Sequence, residues 1–550
     1  MDSLPPTQDN AQQSVTTLLH LPTEVILLIL SVLGPGEILN VRKTCKALCA
    51  ITQDRALWID LYSGMTNEAR YALPDRDAAD LFAPLTRAEV ESFILSAYLT
   101  ERRWTLPRKP PQLLESPGAV QSVEESMHAG TSILTMSVLA DRWLVVLYPG
   151  DVVEIWDICP SSGHDSSGIA KAWNGPHTEG APTAACRTRY DVQGLGPCSM
   201  SAVVLDEDGR SIIMAVGSQV KTQVLKFNLA GGPDMPDYER LSAFETPSPL
   251  YTLRAVDPST QIVLYSHALS VCFVNWRTQK YCLVTSETDG EELWSGIIGV
   301  SLLTSHHVLC VTTRSIEVYT LDFIEDLQRP ISPTAQHNPL YLYNIGRRPA
   351  VAHKHAIPDA TLRGVSFSQA QLRADGDVHR VSAGVLAYDV LRGLFHFSVA
   401  LTLPASHAPQ PYAHTPLDVA CTLRGAHHMA QLVPLADVVP GTAPPRGGFT
   451  PGSRGFISAC ALGARGVRGV WIERRRNNMG RTVFGFAVAN HRVARGSQDG
   501  AEEPVAEIDG RCVYEGQNSV DLRDDLTHCA FSELTGQIVL GTRRGQVLLL

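Results

Sequence analysis

From about residue 126 to the C-terminus, short stretches in which apolar and polar residues alternate dominate the chain. Alternation with a period of two is typical of strands with one buried face, and the intervening Gly, Asp and Asn residues are typical of tight turns. Such strands cannot bury their apolar faces singly and must stack on one another. The clearest strand-turn-strand units are 133–158, 201–227, 261–276, 297–319, 384–401 and 526–550.

Repetition of similar β units along one chain favours radial closure, because each unit then finds a neighbour on both faces. The units resemble blades of a WD-repeat-like propeller, above all 526–550 and the Trp156-Asp157 pair that ends the first unit. Regular Gly-His pairs are missing, and insertions at 160–183, 324–360 and 434–454 break the period. We therefore predict a degenerate β-propeller of about seven blades over 126–550, with a β-sandwich pair or another β repeat as alternatives.

The N-terminal part has a different pattern. Residues 1–19 are polar and unpatterned, which predicts a flexible tail, and 20–62 carry apolar residues at helical spacing. Residues 63–125 read as a helical linker, with Thr86 and Glu89 forming a capping-box pattern before an apolar helical face. The expected fold class is thus α+β multidomain, a small helical bundle followed by a mainly-β domain.

The first helix of the bundle is apolar on almost every side. Val25, Leu27, Leu28 and Val32 accompany Ile26, Ile29, Leu30 and Leu33. A bundle this small cannot cover both sides of such a helix, so an exposed apolar surface there implies a partner protein. The alternative is that the downstream domain covers it.

The order Leu21-Pro22, Ile29-Leu30, Pro35, Val41-x-x-x-Cys45-x-x-Leu48 and Leu57-Trp58 resembles an F-box. Gly36 stands where a charged residue is more usual, and Lys46-Ala47-Leu48 lacks the common Arg-Trp pair. The resemblance implies docking to a Skp-family adaptor and, through it, to a cullin. The adaptor-binding residues that it implies are Leu21, Pro22, Ile26, Ile29, Leu30, Leu33, Pro35, Ile38, Val41, Cys45, Leu48 and Trp58.

Composition and motifs exclude several other classes. A formal net charge of -10 argues against nucleic acid as a partner, because such binding needs a basic surface. The apolar run 25–33 is too short to span a membrane, and the N-terminus lacks a secretory signal. The 12 cysteines include no C-x-x-C pair, which favours reduced thiols in cytoplasm or nucleus. Phosphate-loop, nucleophile-elbow and zinc-protease motifs are missing, so we expect no enzyme, cofactor or metal.

One basic segment is a weaker candidate for substrate binding. Arg474, Arg475 and Arg476 lie in a hairpin-like stretch of an otherwise acidic chain, and guanidinium forks suit phosphate or carboxylate groups. A solvated charged turn is the alternative reading. The function that these patterns predict is a substrate receptor of a Skp-cullin-F-box ubiquitin ligase; a propeller scaffold for a non-ubiquitin assembly is the alternative.

Overall fold

The structure is a computed structural model, and its described residues fall into two compact units, one ending at Leu99 and the other beginning at Thr100. The described residues are 18–66, 71, 73, 81–83, 85–104, 106–108, 112–114, 132–149, 152–158, 184–192, 199–206, 208–229, 238–286, 296–330, 342–349, 352–357, 360–375, 378–404, 418–429, 455–475, 480–488, 506–516 and 525–550. Most of the predicted tail, 1–19, lies outside them.

The first unit is helical, as its apolar spacing predicts. A short 3-10 turn, Leu18–His20, precedes the helices, and the boundary between the units falls inside the last helix. The helices are α1 (Thr23–Ser31), α2 (Pro35–Arg42), α3 (Lys46–Ile51), α4 (Arg55–Thr66) and α5 (Arg87–Arg103).

The spacing of Ile38, Val41, Cys45 and Leu48 suggests one helix, but the structure divides these residues between two. α2 ends at Arg42, and Cys45 adopts an extended conformation with φ -156°. The Sγ atom of Cys45 accepts a hydrogen bond from the backbone N–H of Leu48 at 3.4 Å and so caps α3. A side chain that can cap the next helix offers the backbone an alternative to continued helix at this point.

The predicted capping box of α5 is confirmed. The Thr86 N–H donates to Oε2 of Glu89 at 2.8 Å, and the Glu89 N–H donates to Oγ1 of Thr86 at 3.4 Å. The helix then buries Phe93 in an aromatic cluster in which Phe82 lies edge-on to both Tyr62 and Phe93. These contacts explain why a short bundle holds its shape.

The second unit consists of seven antiparallel blades, which confirms the predicted propeller. In the first four blades the strands follow one another in chain order from the innermost outward. The first blade contains β2 (Thr135–Leu139), β3 (Trp143–Tyr148), β4 (Val152–Asp157) and β5 (Ala185–Asp191), and the second contains β6 (Met200–Leu205), β7 (Ser211–Gly217), β8 (Lys221–Asn228) and β9 (Tyr238–Glu245). The third blade contains β10 (Thr252–Asp257), β11 (Ile262–His267), β12 (Ser270–Asn275) and β13 (Lys280–Thr285). The fourth contains β14 (Ile297–Thr304), β15 (His307–Thr312), β16 (Ser315–Thr320) and β18 (Ala352–Ala356).

The remaining three blades complete the ring. The fifth blade contains β19 (Gly364–Phe367), β20 (Gln371–Asp375), β21 (Val378–Asp389), β22 (Gly393–Pro404) and β23 (Asp418–His428). The sixth contains β24 (Gly455–Leu462), β25 (Arg468–Arg475), β26 (Arg481–Ala487) and β28 (Arg511–Glu515). The seventh contains β29 (Leu526–Phe531), β30 (Ile538–Thr542), β31 (Val547–Leu549) and β1 (Gln112–Leu114).

The apolar core is divided among the interfaces between consecutive blades. One cluster joins the third and fourth blades through Phe273 and Tyr319, and another joins the fifth and sixth through Leu386 and Trp471. The other pairs of neighbours are joined in the same way, including the seventh and first blades. Each blade is therefore buried on both faces, as the stacking argument requires.

The ring closes through a strand from outside the repeats. β1 lies within the range that the sequence assigns to the linker, and it pairs antiparallel with β31 as the outermost strand of the seventh blade. Two further strands, β17 (Tyr343–Pro349) and β27 (Ala506–Glu507), add parallel to the outer edges of the third and fifth blades. A one-turn helix, α6 (Ile324–Gln328), follows β16.

Candidate functional site

An exposed apolar stripe on α1 is the most unusual surface feature of the first unit. Its members are Val25, Leu28, Ile29 and Val32, which follow one another at helical spacing and so share one face. Leu28 is 69% exposed and Val32 is 85% exposed. We call these four residues the α1 stripe. Leu21, just before the helix, is also exposed and apolar.

The opposite face of α1 belongs to the core of the unit. Ile26 and Leu30 are each 2% exposed, and α1 packs against α4. The helix thus divides its apolar residues between an internal face that holds the unit together and an outer stripe. This division accounts for the all-round apolar character of its sequence.

The residues assigned to adaptor binding from the sequence fall into three groups. Leu21, Pro22 and Ile29 are exposed, and Leu33, Val41 and Cys45 are half-buried. The buried members are Ile26, Leu30, Pro35, Ile38, Leu48 and Trp58. The buried members act first as core residues of the unit, and adaptor contact by the whole set stays a prediction.

Three stripe residues, Val25, Leu28 and Val32, were not assigned to adaptor binding from the family pattern. The signal that could have found them is their spacing of three and four residues on a helix whose inner face is already filled by Ile26 and Leu30. Family positions alone did not separate the internal face from the external one.

Trp58, a residue of the F-box pattern, is fully buried and stabilises the first unit from within. Its Nε1–H donates to the carbonyl oxygen of Thr52 at 3.0 Å. The guanidinium of Arg42 lies 5.6 Å from the Trp58 ring centroid and also donates through Nε to Oγ1 of Thr52 at 3.1 Å. Trp58 therefore fixes the turn between α3 and α4.

The predicted arginine segment lies at the β25–β26 turn of the sixth blade. Arg474 faces Arg481 across the two strands, and their guanidinium groups lie 5.7 and 5.2 Å from the ring centroid of Phe456. Arg481 is buried and forms an ion pair with Asp525, in which Nη2 of Arg481 lies 2.6 Å from Oδ2 of Asp525. The Arg475 backbone is in β25, and Arg476 lies outside the described residues. The carboxylate of Asp525 therefore neutralises the positive charge of Arg481 beside this segment.

A buried polar cluster links the first, seventh and sixth blades. Glu533, between β29 and β30, accepts hydrogen bonds from the N–H groups of Arg465, Val467 and Arg468 at 2.5, 2.8 and 2.7 Å. Asp141, between β2 and β3, accepts from the Leu534 N–H at 3.1 Å. Because both acids are buried, their pKa values are raised, that of Glu533 to about 7. The cluster ties neighbouring blades together at their innermost turns.

The first residues of the second unit contact the same cluster. Nη2 of Arg468 donates to Oε2 of Glu101 at 2.6 Å, and Nη1 of Arg468 donates to the carbonyl oxygen of Glu533 at 2.9 Å. Trp104, 1% exposed, packs in the core between the sixth and seventh blades. Residues 101–104 are therefore part of the propeller's own structure.

Among the described residues, no group of three or more His, Cys, Asp or Glu side chains is placed to hold a metal ion. Burial raises the pKa of the Cys272 and Cys310 thiols well above the usual range, which disfavours the nucleophilic thiolate. No helix in the described part of the chain is long and apolar enough to cross a membrane.

Comparisons with known proteins bear on the two units separately. The family model for the F-box-like domain matches residues 18–63, and comparison with curated proteins finds no match. The WD40 domain of SCAP from fission yeast is 8% identical, with 76% of this chain and 81% of that chain covered and a TM-score of 0.37. The Cps50 (Swd1) β-propeller domain of Myceliophthora thermophila is 10% identical, covering 76% and 98%, with a TM-score of 0.38.

A third similar structure is the polycomb repressive complex 2 of Chaetomium thermophilum, 10% identical over 81% of this chain and 98% of that chain, with a TM-score of 0.40. The propeller assignment itself comes from the seven blades and their closure by β1. The family match and this architecture agree with the division of the sequence into a helical module and a β domain. The chain carries an F-box-like domain at residues 18–63, followed by a seven-bladed β-propeller.

Proposed function

We propose that this chain is the substrate receptor of a Skp-cullin-F-box ubiquitin ligase, with the F-box-like domain docking to a Skp-family adaptor and the propeller capturing the substrate. The observation that carries the proposal is the α1 stripe, an exposed apolar helix face inside the matched segment. Monomeric surfaces rarely expose contiguous apolar side chains without a partner. F-box domains generally bind Skp1-like adaptors, and propellers generally bind proteins.

In this function the protein does no chemistry of its own. The receptor holds a substrate near the charged conjugating enzyme, and the gain is one of effective concentration and orientation. The propeller supports this role because each blade presents turns whose side chains can vary while the strands beneath stay fixed. Arg474, Arg475 and Arg476 are one candidate for substrate contact on such turns.

Burial of the α1 stripe is sufficient in magnitude to drive docking. Full burial of a Val, Leu or Ile side chain contributes about 1.5–3 kcal/mol, so the gross gain from four such residues exceeds the lower estimates of the entropy cost of association. Leu28 and Val32, the most exposed members, stand to gain most. The alternative function, a scaffold without an adaptor, predicts no adaptor contact at this stripe.

The proposal is tested by co-expressing the full chain with a Skp-family adaptor and measuring the adaptor that co-purifies. The double change Leu28→Asp plus Val32→Asp is expected to weaken adaptor binding at least about tenfold, because two carboxylates would have to be desolvated at the interface. Both side chains are exposed, so the fold should be unaffected.

Ala56→Asp plus Ser63→Asp is the matched control, since both residues are exposed on α4 and the change adds the same charge. This control and the wild type should retain adaptor equally. Leu21→Ala plus Pro22→Ala should also reduce binding, as the F-box pattern implies. Failure of the wild type to retain adaptor, or equal retention by the stripe variant, would contradict the proposal and favour the scaffold.

A further inference from the structure

The positive charge of this chain is carried mainly by arginine. The sequence contains 38 arginines and 8 lysines, and residues 355–550 contain 19 arginines and no lysine. Lysine is among the commonest residues of soluble proteins. Surface charge and solubility alone do not require this choice, because a lysine supplies the same charge.

The same imbalance appears on the surface of the propeller. From residue 135 onward, fourteen of the described arginines are exposed, whereas Lys354 is the only exposed lysine among the described residues of that range. Lys109 and Lys171 lie outside the described residues. The described blades thus present many guanidinium groups and few amines to solvent.

The other described lysines of the blades are engaged within the fold. Lys280 is 9% exposed, and its Nζ donates to the carbonyl oxygen of Asp326 at 3.1 Å. Nζ of Lys226 donates to Oδ2 of Asp206 at 2.8 Å, and this hydrogen bond raises the pKa of Lys226. Lys221 is half-buried. Burial restricts access to the amines of Lys280 and Lys221, and the raised pKa of Lys226 leaves less of its neutral amine.

Many of the exposed arginines do not need a guanidinium group for the fold. Six of them form no side-chain hydrogen bond or ion pair with any described residue: Arg210, Arg240, Arg277, Arg314, Arg363 and Arg392. We call these six the surface arginines. A lysine at each position would keep the charge without the loss of a contact. The arginines therefore point to a constraint on amines rather than on charge.

Arginine and lysine differ in the chemistry of ubiquitin transfer. The neutral amine of a lysine attacks the thioester carbonyl carbon that joins ubiquitin to a cysteine of the conjugating enzyme. A C–N isopeptide bond forms, the C–S bond breaks, and the departing thiolate takes up the proton that the amine loses. The guanidinium group stays protonated and delocalised, so it cannot act as this nucleophile. A surface of arginines carries charge without offering an acceptor.

Proximity makes this difference matter for a ligase receptor. A receptor that holds a substrate near the charged conjugating enzyme also holds its own surface there, so the effective concentration of its own amines rises as well. Modification of the receptor would then compete with modification of the substrate.

We propose that the propeller is depleted of ubiquitin-acceptor amines, so that the receptor escapes modification by the ligase to which it belongs. Lys354 on β18 is then the main acceptor left among the described residues of the blades. Lys43 and Lys46 are also exposed, but they belong to the first unit. The inference rests on the proposed function, because that function assigns the ligase to this chain.

A reconstituted ubiquitination reaction tests the inference. The full chain, purified with a Skp-family adaptor, is mixed with cullin, a RING subunit, activating and conjugating enzymes, ubiquitin and ATP. Modification of the chain is followed by gel mobility and by mass spectrometry of tryptic peptides. Changing the six surface arginines together to Lys should raise the rate of this modification at least about fivefold, with ubiquitin on the introduced amines. Lys354→Arg alone should lower the residual rate of the wild type.

Changing the same six arginines to Gln is the matched control, because it removes each arginine without supplying an amine. Its rate should stay within about twofold of wild type, since no acceptor is added. Both variants change exposed side chains only, so thermal unfolding should match that of wild type. Equal rates for the Lys variant and wild type, or an equal gain in the Gln variant, would overturn the inference and leave a general compositional preference for arginine.

A RING domain fused to the N-terminus of the full chain separates this inference from the proposed function. The fused domain recruits the charged conjugating enzyme without adaptor or cullin, so wild type and both variants are compared whether or not adaptor binds. A gain confined to the Lys variant supports amine depletion, and absence of adaptor binding would then refute only the receptor role. Adaptor retained by wild type, with no gain in either assay, refutes only the depletion.

Discussion

Replacing Trp104 with alanine is expected to lower the free energy of unfolding of the propeller by about 3–5 kcal/mol. Trp104 is 1% exposed and belongs to the cluster that joins the sixth and seventh blades. Its ring centroid lies 5.2 Å from that of Phe531, and its Nε1–H donates to the carbonyl oxygen of Phe486 at 2.8 Å. Truncation would leave a large cavity at one interface and remove this hydrogen bond.

The measurement is urea unfolding of the full chain followed by fluorescence and circular dichroism. Leu106→Ala is the control, because Leu106 is 49% exposed two residues further along and its truncation should change stability by no more than about 0.5 kcal/mol. If Trp104→Ala unfolds at the same urea concentration as that control, Trp104 does not hold the two blades together.

Replacing Glu533 with alanine is expected to lower the free energy of unfolding by a similar amount, about 3–5 kcal/mol, because buried donors would lose their acceptor. The carboxyl group accepts hydrogen bonds from three backbone N–H groups, which its removal would leave without that acceptor. The carboxyl group also packs where Gly463 has no side chain, since a Cβ there would lie 2.3 Å from Cδ of Glu533. Thermal unfolding against wild type measures the loss.

The pH dependence of Glu533→Gln checks the same cluster. Burial raises the pKa of Glu533 to about 7 from an ordinary value of 4.5, so between these limits the folded state binds a proton that the unfolded state releases. The contribution of Glu533 is therefore present in full below pH 4.5 and is lost as the pH rises through 7. The free energy of unfolding of the wild type should fall more than that of Glu533→Gln between pH 5 and 7.5. Asp141 is present in both proteins. Parallel pH profiles would contradict the account.

Much of the architecture could be predicted from local patterns. The strand-turn-strand units correspond to six of the seven blades, because apolar runs such as β7 and β15 end at clear turns. The F-box-like helices were predictable from apolar spacing, and the start of α5 was predictable from the capping box at Thr86 and Glu89. Local hydrogen bonding and one-sided burial decide such features, and both are visible in a short window of sequence.

Features that depend on residues far apart in the sequence were harder to predict. The sixth blade, β24 to β28, follows a long insertion that hides its period, and β1 pairs with a strand more than 400 residues away. The α1 stripe required knowledge of which side of α1 packs against α4. In each case tertiary packing, rather than local propensity, determines the outcome.

The most direct measurement of the central claim is a calorimetric titration of a purified Skp-family adaptor into the full chain at several temperatures. Burial of the α1 stripe should give saturable one-to-one binding with a negative heat-capacity change. The change Leu28→Asp plus Val32→Asp should abolish the signal, whereas the control Ala56→Asp plus Ser63→Asp should keep it. Absence of binding heat at every temperature, with no complex on gel filtration, would contradict the assignment of this chain as an adaptor-bound ligase receptor.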